Sequence, residues 1–369
     1  MADSAAGTKR KASTSGSASK RQETSGAPKQ KQKTLEESLP NQGDDAPSEE
    51  NEDEGQQSND VAEDNTQDAQ EDEAPKDKPE HANGDDHKRD EEVPSTILEK
   101  GILYFFFRAR VGIDEPQSVQ DVARSYMVLR PLPLGAQLGD DAIEDVGNNR
   151  LLALPKKVLP VSHRDRFMTF VEKANTTVQD LKDNFMAGSD YDTKTTGTRH
   201  TPAVTPAGEG VYAITTTGRE THLAYILTIP SELSEVQKAL GLRERGSFVT
   251  SAKNPQVGGP SYANLPKGAE FSKEIFDEFR GRGWMPLQPK VLDYENAQFL
   301  LIGEGIGELG KATEPSTKDQ QHDKEAPKEE MEKLAEEDEH RAAAVEGDDT
   351  IFEDLGLSAK NYPKLQTTW

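Results

Sequence analysis

The sequence predicts an α+β fold: a single strand-rich domain with short helices, flanked by long charged tails. Three observations carry that expectation. Residues 101–111, GILYFFFRARV, place six apolar side chains in a row from Ile102 to Phe107, and such a run cannot alternate between core and water, so it reads as a buried central strand. Between residues 95 and 309, strand-like and helix-like segments follow one another with turn residues between them. Outside that span the chain is too polar to pack. Over its 369 residues it is only 32% hydrophobic and 6% aromatic, which fits one folded domain with disordered flanks better than two domains.

Charge divides the chain at the same places. Residues 1–33 hold 8 basic and 2 acidic side chains, residues 34–95 hold 4 and 23, residues 96–309 hold 24 and 27, and residues 310–369 hold 8 and 16. The net charge of −24 therefore belongs to the flanks, and the domain is close to neutral. The expected organisation is a basic disordered tail (1–33), an acidic disordered segment (34–94), the folded domain (95–309), and an acidic tail with an exposed helix and a hydrophobic docking segment (310–369). The chain has no cysteine, which removes thiol nucleophiles, disulfides and cysteine-based zinc or iron–sulfur sites. The opening MADSAAGTKRK lacks the apolar core of a signal peptide, and no window approaches a membrane span, so no membrane association is expected.

Taken in order, the segment beginning at Ile102 is the first strand. Residues 125–130, SYMVLR, form a second, stopped by Pro131 and Pro133, and residues 150–154 a third. A helix over 163–173 is suggested by Phe167, Phe170 and Val171 at i, i+3, i+4, with Ser162 as its cap. Thr177 caps another through Val178, Leu181 and Phe185, closed by Gly188. Residues 189–208 read as a long loop, and a loop of that length suggests function or mobility. Residues 210–217 and 221–229 form a hairpin around Gly218-Arg219. Ser234 with Gln237 makes a capping box. Residues 247–251 form a strand, Ser272 caps a helix over 273–280, and residues 298–302, QFLLI, form the last buried strand, which is expected to pair with the first. Met331 and Leu334 are too few to bury a face of the helix expected at 328–345.

The tails carry their own signals. Lys9, Arg10 and Lys11 are followed after eight residues by Lys20 and Arg21, a two-cluster spacing suited to a nuclear import receptor. Near the other end, Ile351, Phe352, Leu355, Leu357 and Trp369 return large apolar groups to an acidic stretch. They form a candidate docking segment, either onto the chain's own domain or onto a partner protein.

Within the domain, Arg108 and Arg110 end the first strand and Arg130 ends the second. If those strands were parallel neighbours, three guanidinium groups would converge, with Arg199, His200 and His222 within reach, and would form an anion pocket. The plainer alternative pairs each arginine with a carboxylate such as Asp293 or Glu295. No histidine pair has ligand spacing, so no metal and no cofactor is expected. Ser189 and Ser247 each follow a glycine but lack the Gly-x-Ser-x-Gly of a nucleophile elbow, so no catalytic residue is assigned.

The segments KRK, KQKTLEESL, GILYFFFRARV, YMVLRPLP, NRLLALPKKVLP, TRHTPAVTPAGEGVYAI, GRETHLAYILTIP, GSFVTSAKNP and LDYENAQFLLIGEG together resemble a group of filamentous-fungal proteins of unknown function often called BTB domain transcription factors. That resemblance implies nuclear work, in transcription regulation, through a protein-interaction domain. It assigns no role to any residue. The expected function is therefore a non-enzymatic nuclear protein that binds an import receptor and an unknown protein partner, linked to transcription or chromatin, with direct DNA binding not expected. The alternative is a phosphate or small-molecule binder, or an enzyme, using the arginine and histidine set.

Overall fold

The structure is a computed structural model that describes residues 89, 92–140, 142–193, 197–258, 265–305, 309–322, 324–344, 355 and 364–369. In chain order the elements are β1 (Ile97–Ala109), β2 (Val122–Leu132), β3 (Asn149–Leu154), β4 (Arg166–Thr176), α1 (Val178–Leu181), β5 (Ser189–Thr193), β6 (Gly197–Thr201), β7 (Val204–Thr216), β8 (Thr221–Ile229), α2 (Glu235–Ala239), β9 (Arg245–Lys253), α3 (Lys273–Phe279), β10 (Trp284–Pro286), β11 (Gln298–Gly303), α4 (Thr317–Gln321) and α5 (Pro327–Ala344). Eight of the strands close a ring in the order β1, β2, β3, β4, β11, β9, β8, β7 and back to β1, and every pairing is antiparallel.

The α+β expectation is thus corrected to a closed antiparallel β-barrel with few helices. The largest single error lies at residues 163–173. From residue 166 on they are strand β4, not helix: Phe167, Thr169 and Val171 are buried on one side, and Phe170 faces the other. A spacing of three and four between apolar residues is compatible with a strand once non-local pairing supplies both neighbours, here β3 and β11. The first and last strands do not pair; β1 lies between β2 and β7. Residues 189–208, expected as loop, contain the β5–β6 hairpin and the start of β7.

β1 has the predicted character. Alternate residues along the wall fall into two packed groups, as the two faces of a barrel strand require. Leu103, Phe105, Phe107, Leu129, Tyr225 and Phe248 belong to one group, which fills the barrel. Ile102, Tyr104, Phe106, Val128, Val211 and Ile226 belong to the other, which lies outside beneath Leu181, Phe185, Met331 and Leu334. Gly101 is required where β1 passes β2 and β7, because a Cβ there would lie 2.1 Å from the Arg130 carbonyl oxygen and 2.9 Å from the Tyr212 ring. Gly218, at φ 83°, supplies the left-handed residue of the predicted β7–β8 turn.

The helix expected to be exposed at 328–345 is α5, and it is docked. It packs on β7 and β8 with Met331 and Leu334 each 1% exposed, and it buries charged groups beside them. Glu330 accepts from Lys100 at 2.6 Å and from Arg89 at 3.1 Å. Arg341 meets Glu209 at 2.6 Å and Asp338 at 2.7 Å, while Thr228 donates to Asp338 at 2.6 Å. Burial pulls the Lys100 ammonium below its usual range although Glu330 opposes the shift. An apolar count overlooked this face because buried ion pairs share it with Met331 and Leu334. The fold also begins earlier than residue 95, since Val93 is buried and Arg89 reaches both Glu330 and Glu337.

Candidate functional site

Antiparallel pairing disperses the predicted anion pocket. Arg108 lies opposite Arg124, whereas Arg130 lies opposite Ile102, six residues further along β1 and so about 20 Å away at ~3.4 Å per residue. Arg108 donates to the Pro202 carbonyl at 2.6 Å and to the carbonyls of Phe185 and Ala187, clamping the turn that follows α1. Arg110 is exposed, and its backbone N–H donates to Asp121 at 2.8 Å. Arg130 is 2% exposed and donates to the Ile143 carbonyl. Arg199 is exposed on β6 opposite Tyr191. His200 stands between Asp190 at 2.6 Å and Asp114 at 3.5 Å, half exposed, and joins the β5–β6 hairpin to the loop after β1. Of the set, Arg108, Arg110, Arg199 and His200 lie at one end of the barrel, where the Gly112 N–H donates to the His200 carbonyl at 2.9 Å, and Arg130 and His222 lie elsewhere.

His222 is fully buried on the outer face of β8, and its Nδ1 is 2.8 Å from Glu304 Oε2. The same oxygen accepts from the Ser247 hydroxyl. Burial opposes ionisation of Glu304, but the two hydrogen bonds together hold its carboxyl below the usual range. Serine, histidine and glutamate are therefore adjacent, yet in the wrong order for nucleophilic catalysis. A triad needs the serine hydroxyl on the imidazole nitrogen remote from the acid. Here serine and imidazole both serve one carboxylate oxygen, and Nε2 of His222 is buried without a hydrogen-bond partner. The sequence pointed to His222 and Ser247 one at a time; only pairing of β8 with β9 and of β9 with β11 brings them to Glu304.

Two further charged groups on the barrel were not assembled from the sequence. At the Ile97 end of the barrel, Arg150 donates to both carboxylate oxygens of Glu99 at 2.7 and 2.8 Å and to Asp293 at 2.9 Å, and the Tyr212 hydroxyl donates to Glu99 at 2.7 Å. Burial and the nearby Glu99 carboxylate push the Tyr212 hydroxyl up, so it stays protonated. Asp293 does pair with an arginine, as the plainer reading supposed, but with Arg150. On the outer wall, Arg124 lies over the Phe170 ring at 6.0 Å, and burial raises the Glu172 carboxyl, with Arg124 and Arg108 offsetting the shift in part. A cue for the first group was present: Glu99 and Arg150 lie at inward positions of strands whose other inward residues are apolar.

The barrel interior leaves no chamber for a ligand at Phe105, Leu154, Leu159 and Leu240, where the void measures about 10 Å³, on the order of one water molecule. An open cleft of about 410 Å³ lies instead at the Phe107 end, between residues 114–117, Thr205 and residues 364–369. Among the described residues no His, Asp or Glu cluster could hold a metal ion, and no helix is long and apolar enough to cross a membrane.

No family model, no curated protein and no solved structure matches this chain.

Of the expected docking segment, Leu355 is fully buried in the outer group and Trp369 packs against the interior group, so both dock on the chain's own barrel. Ile351, Phe352 and Leu357, and the basic residues Lys9, Arg10, Lys11, Lys20 and Arg21, lie outside the described residues.

Proposed function

We propose that this chain is a non-enzymatic nuclear protein-interaction or regulatory factor, linked to transcription or chromatin, in which a solid barrel carries charged arms. The observation that carries the non-enzymatic part is that the arginine and histidine set does not converge on one cavity: Arg108 and His200 hold loops, Arg130 and His222 are buried elsewhere, and Arg110 and Arg199 are exposed, around a barrel whose axis is filled with Phe, Leu and Tyr side chains. Ligand-binding and catalytic sites are concave and gather a few convergent polar groups. The nuclear part rests on the paired clusters Lys9-Arg10-Lys11 and Lys20-Arg21, which suit a two-pocket import receptor.

The test is the distribution of a fluorescent fusion of the full chain. Replacing all five basic residues by alanine is expected to shift it from nucleus to cytoplasm; an unchanged distribution would refute nuclear import through these clusters. Proximity labelling from the wild-type fusion should then recover chromatin or transcription proteins, and recovery of metabolic enzymes alone would refute the regulatory reading.

A further inference from the structure

The last six residues, Lys364-Leu-Gln-Thr-Thr-Trp369, lie in a seat built at the Phe107 end of the barrel. Trp369 is the anchor. Its ring centroid is 6.0 Å from that of Phe107, an inward residue of β1, so the side chain extends the barrel's own interior packing. Gln237 of α2 is fully buried and divides its amide between two carbonyls, Ala207 of β7 at 2.9 Å and Gln366 of the tail at 3.0 Å. The Val236 N–H points to the Thr367 carbonyl at 3.4 Å, and Gln366 donates to the Pro116 carbonyl at 3.1 Å. The tail is thus read by a buried amide, a helix backbone group, a loop carbonyl and an aromatic floor. The open cleft of about 410 Å³ continues beside it.

That arrangement has the parts of a peptide-recognition site: an aromatic side chain in an apolar seat, which supplies most of the energy in such contacts, and main-chain bonds that set its direction. The ligand is attached to its receptor. Leu355 is held in the outer group, and the eight residues from there to Lys364 span at most about 30 Å of extended chain. A tether that short keeps the local concentration of the tail in the millimolar range.

We propose that the Phe107 end of the barrel is a docking site for an extended peptide with an aromatic anchor, and that its resident occupant is the chain's own segment 364–369, bound in cis. The site is independent of where in the cell the protein acts. A foreign peptide reaches it only by displacing residues 364–369, so that segment sets the threshold for partner binding.

Two full-chain variants test this. The chain has two tryptophans, and Trp284, which is 42% exposed, can be replaced by phenylalanine so that Trp369 reports alone. Its emission should be blue-shifted, with acrylamide quenching several-fold weaker than in the free peptide KLQTTW at every protein concentration. In the second variant, Trp369→Ala, the seat is vacated, and fluorescein-labelled KLQTTW should bind at least tenfold more tightly than to the wild-type chain. Adding Gln237→Ala to that variant should weaken the peptide by about tenfold again, with the melting curve showing that the barrel is folded. Quenching equal to that of the free peptide overturns the proposal, as does equal or absent peptide binding by the folded wild-type and Trp369→Ala chains. Protection that disappears on dilution would assign the seat to the tail of a second copy and overturn docking in cis.

Discussion

The two ends of the barrel are closed by different physics. At the Ile97 end, the segment carrying α3 and residues 289–293 covers the opening with Phe271, Phe279, Val291 and Leu292, and beneath it Arg150 is locked between Glu99 and Asp293. At the Phe107 end, α2 and the C-terminal hexapeptide cover the opening through one aromatic contact and a few neutral hydrogen bonds. A buried charge network tolerates only one arrangement, because a displaced member leaves its partner charged and dry. A segment held by a tryptophan and amides can leave and return without stranding a buried charge. The first end specifies the barrel, and the second is the place where it can exchange one covering for another.

Removing Arg150 should break this contrast most strongly. Arg150→Ala leaves Glu99 buried and unpaired and should destabilise the protein by about 3–5 kcal/mol in urea unfolding. The double replacement Glu99→Leu with Arg150→Met should cost less than the single one, because it strands no charge. If the double variant is the less stable of the two, the network does more than satisfy itself.

A carboxylate on the barrel's outer wall sharpens the comparison through pH. Glu304 follows β11 where that strand runs toward the Phe107 end, and its folded carboxyl lies below the usual range, held there by His222 and Ser247 against the effect of burial. A depressed carboxyl contributes stability that is present above the ordinary glutamate range and is lost as pH falls through its folded value. Glu304→Gln should therefore cost about 1–3 kcal/mol at pH 7, and the gap to wild type should close in unfolding curves taken below about pH 4. A gap that stays constant with pH would mean that the Glu304 charge is not what holds β8, β9 and β11 together.

The smallest effect belongs to the tail. Trp369→Ala should lower stability by about 1.5 kcal/mol, the upper end of the range of a single aromatic pair and in step with a tenfold competition for the seat, about 1.4 kcal/mol. Hydrogen exchange should speed up at Val236, whose N–H donates to the Thr367 carbonyl, and remain unchanged around Arg150. Faster exchange at both ends would show that the tail stabilises the whole barrel and not its own seat alone.

Much of the wall was legible. Ile102 to Phe107 declared burial on both faces, Gly218 marked the β7–β8 turn, and Thr177 caps α1 by accepting the N–H of Asp180. The candidate site was legible only as a set of residue types. Arg108, Arg130 and His222 were visible as unusual residues, but their grouping depended on whether β1 and β2 run parallel, and they run antiparallel. Arg150 looked like an ordinary strand-end charge until closure of the ring placed Glu99, Tyr212 and Asp293 around it.

By itself the sequence determined where the chain must be extended and covered, where it must turn, and how charge is segregated between domain and flanks, because each of these follows from the chemistry of neighbouring residues. Tertiary structure decided that residues 166–176 are a strand, that the sheet closes, and that α5 and the final tryptophan lie on the barrel. Those outcomes turn on partners far apart in sequence, β4 with β11, Glu330 with Lys100, and Trp369 with Phe107. A strand position or a charged helix face has no fixed preference until its neighbour arrives, so only the assembled fold chooses among the conformations that local chemistry permits.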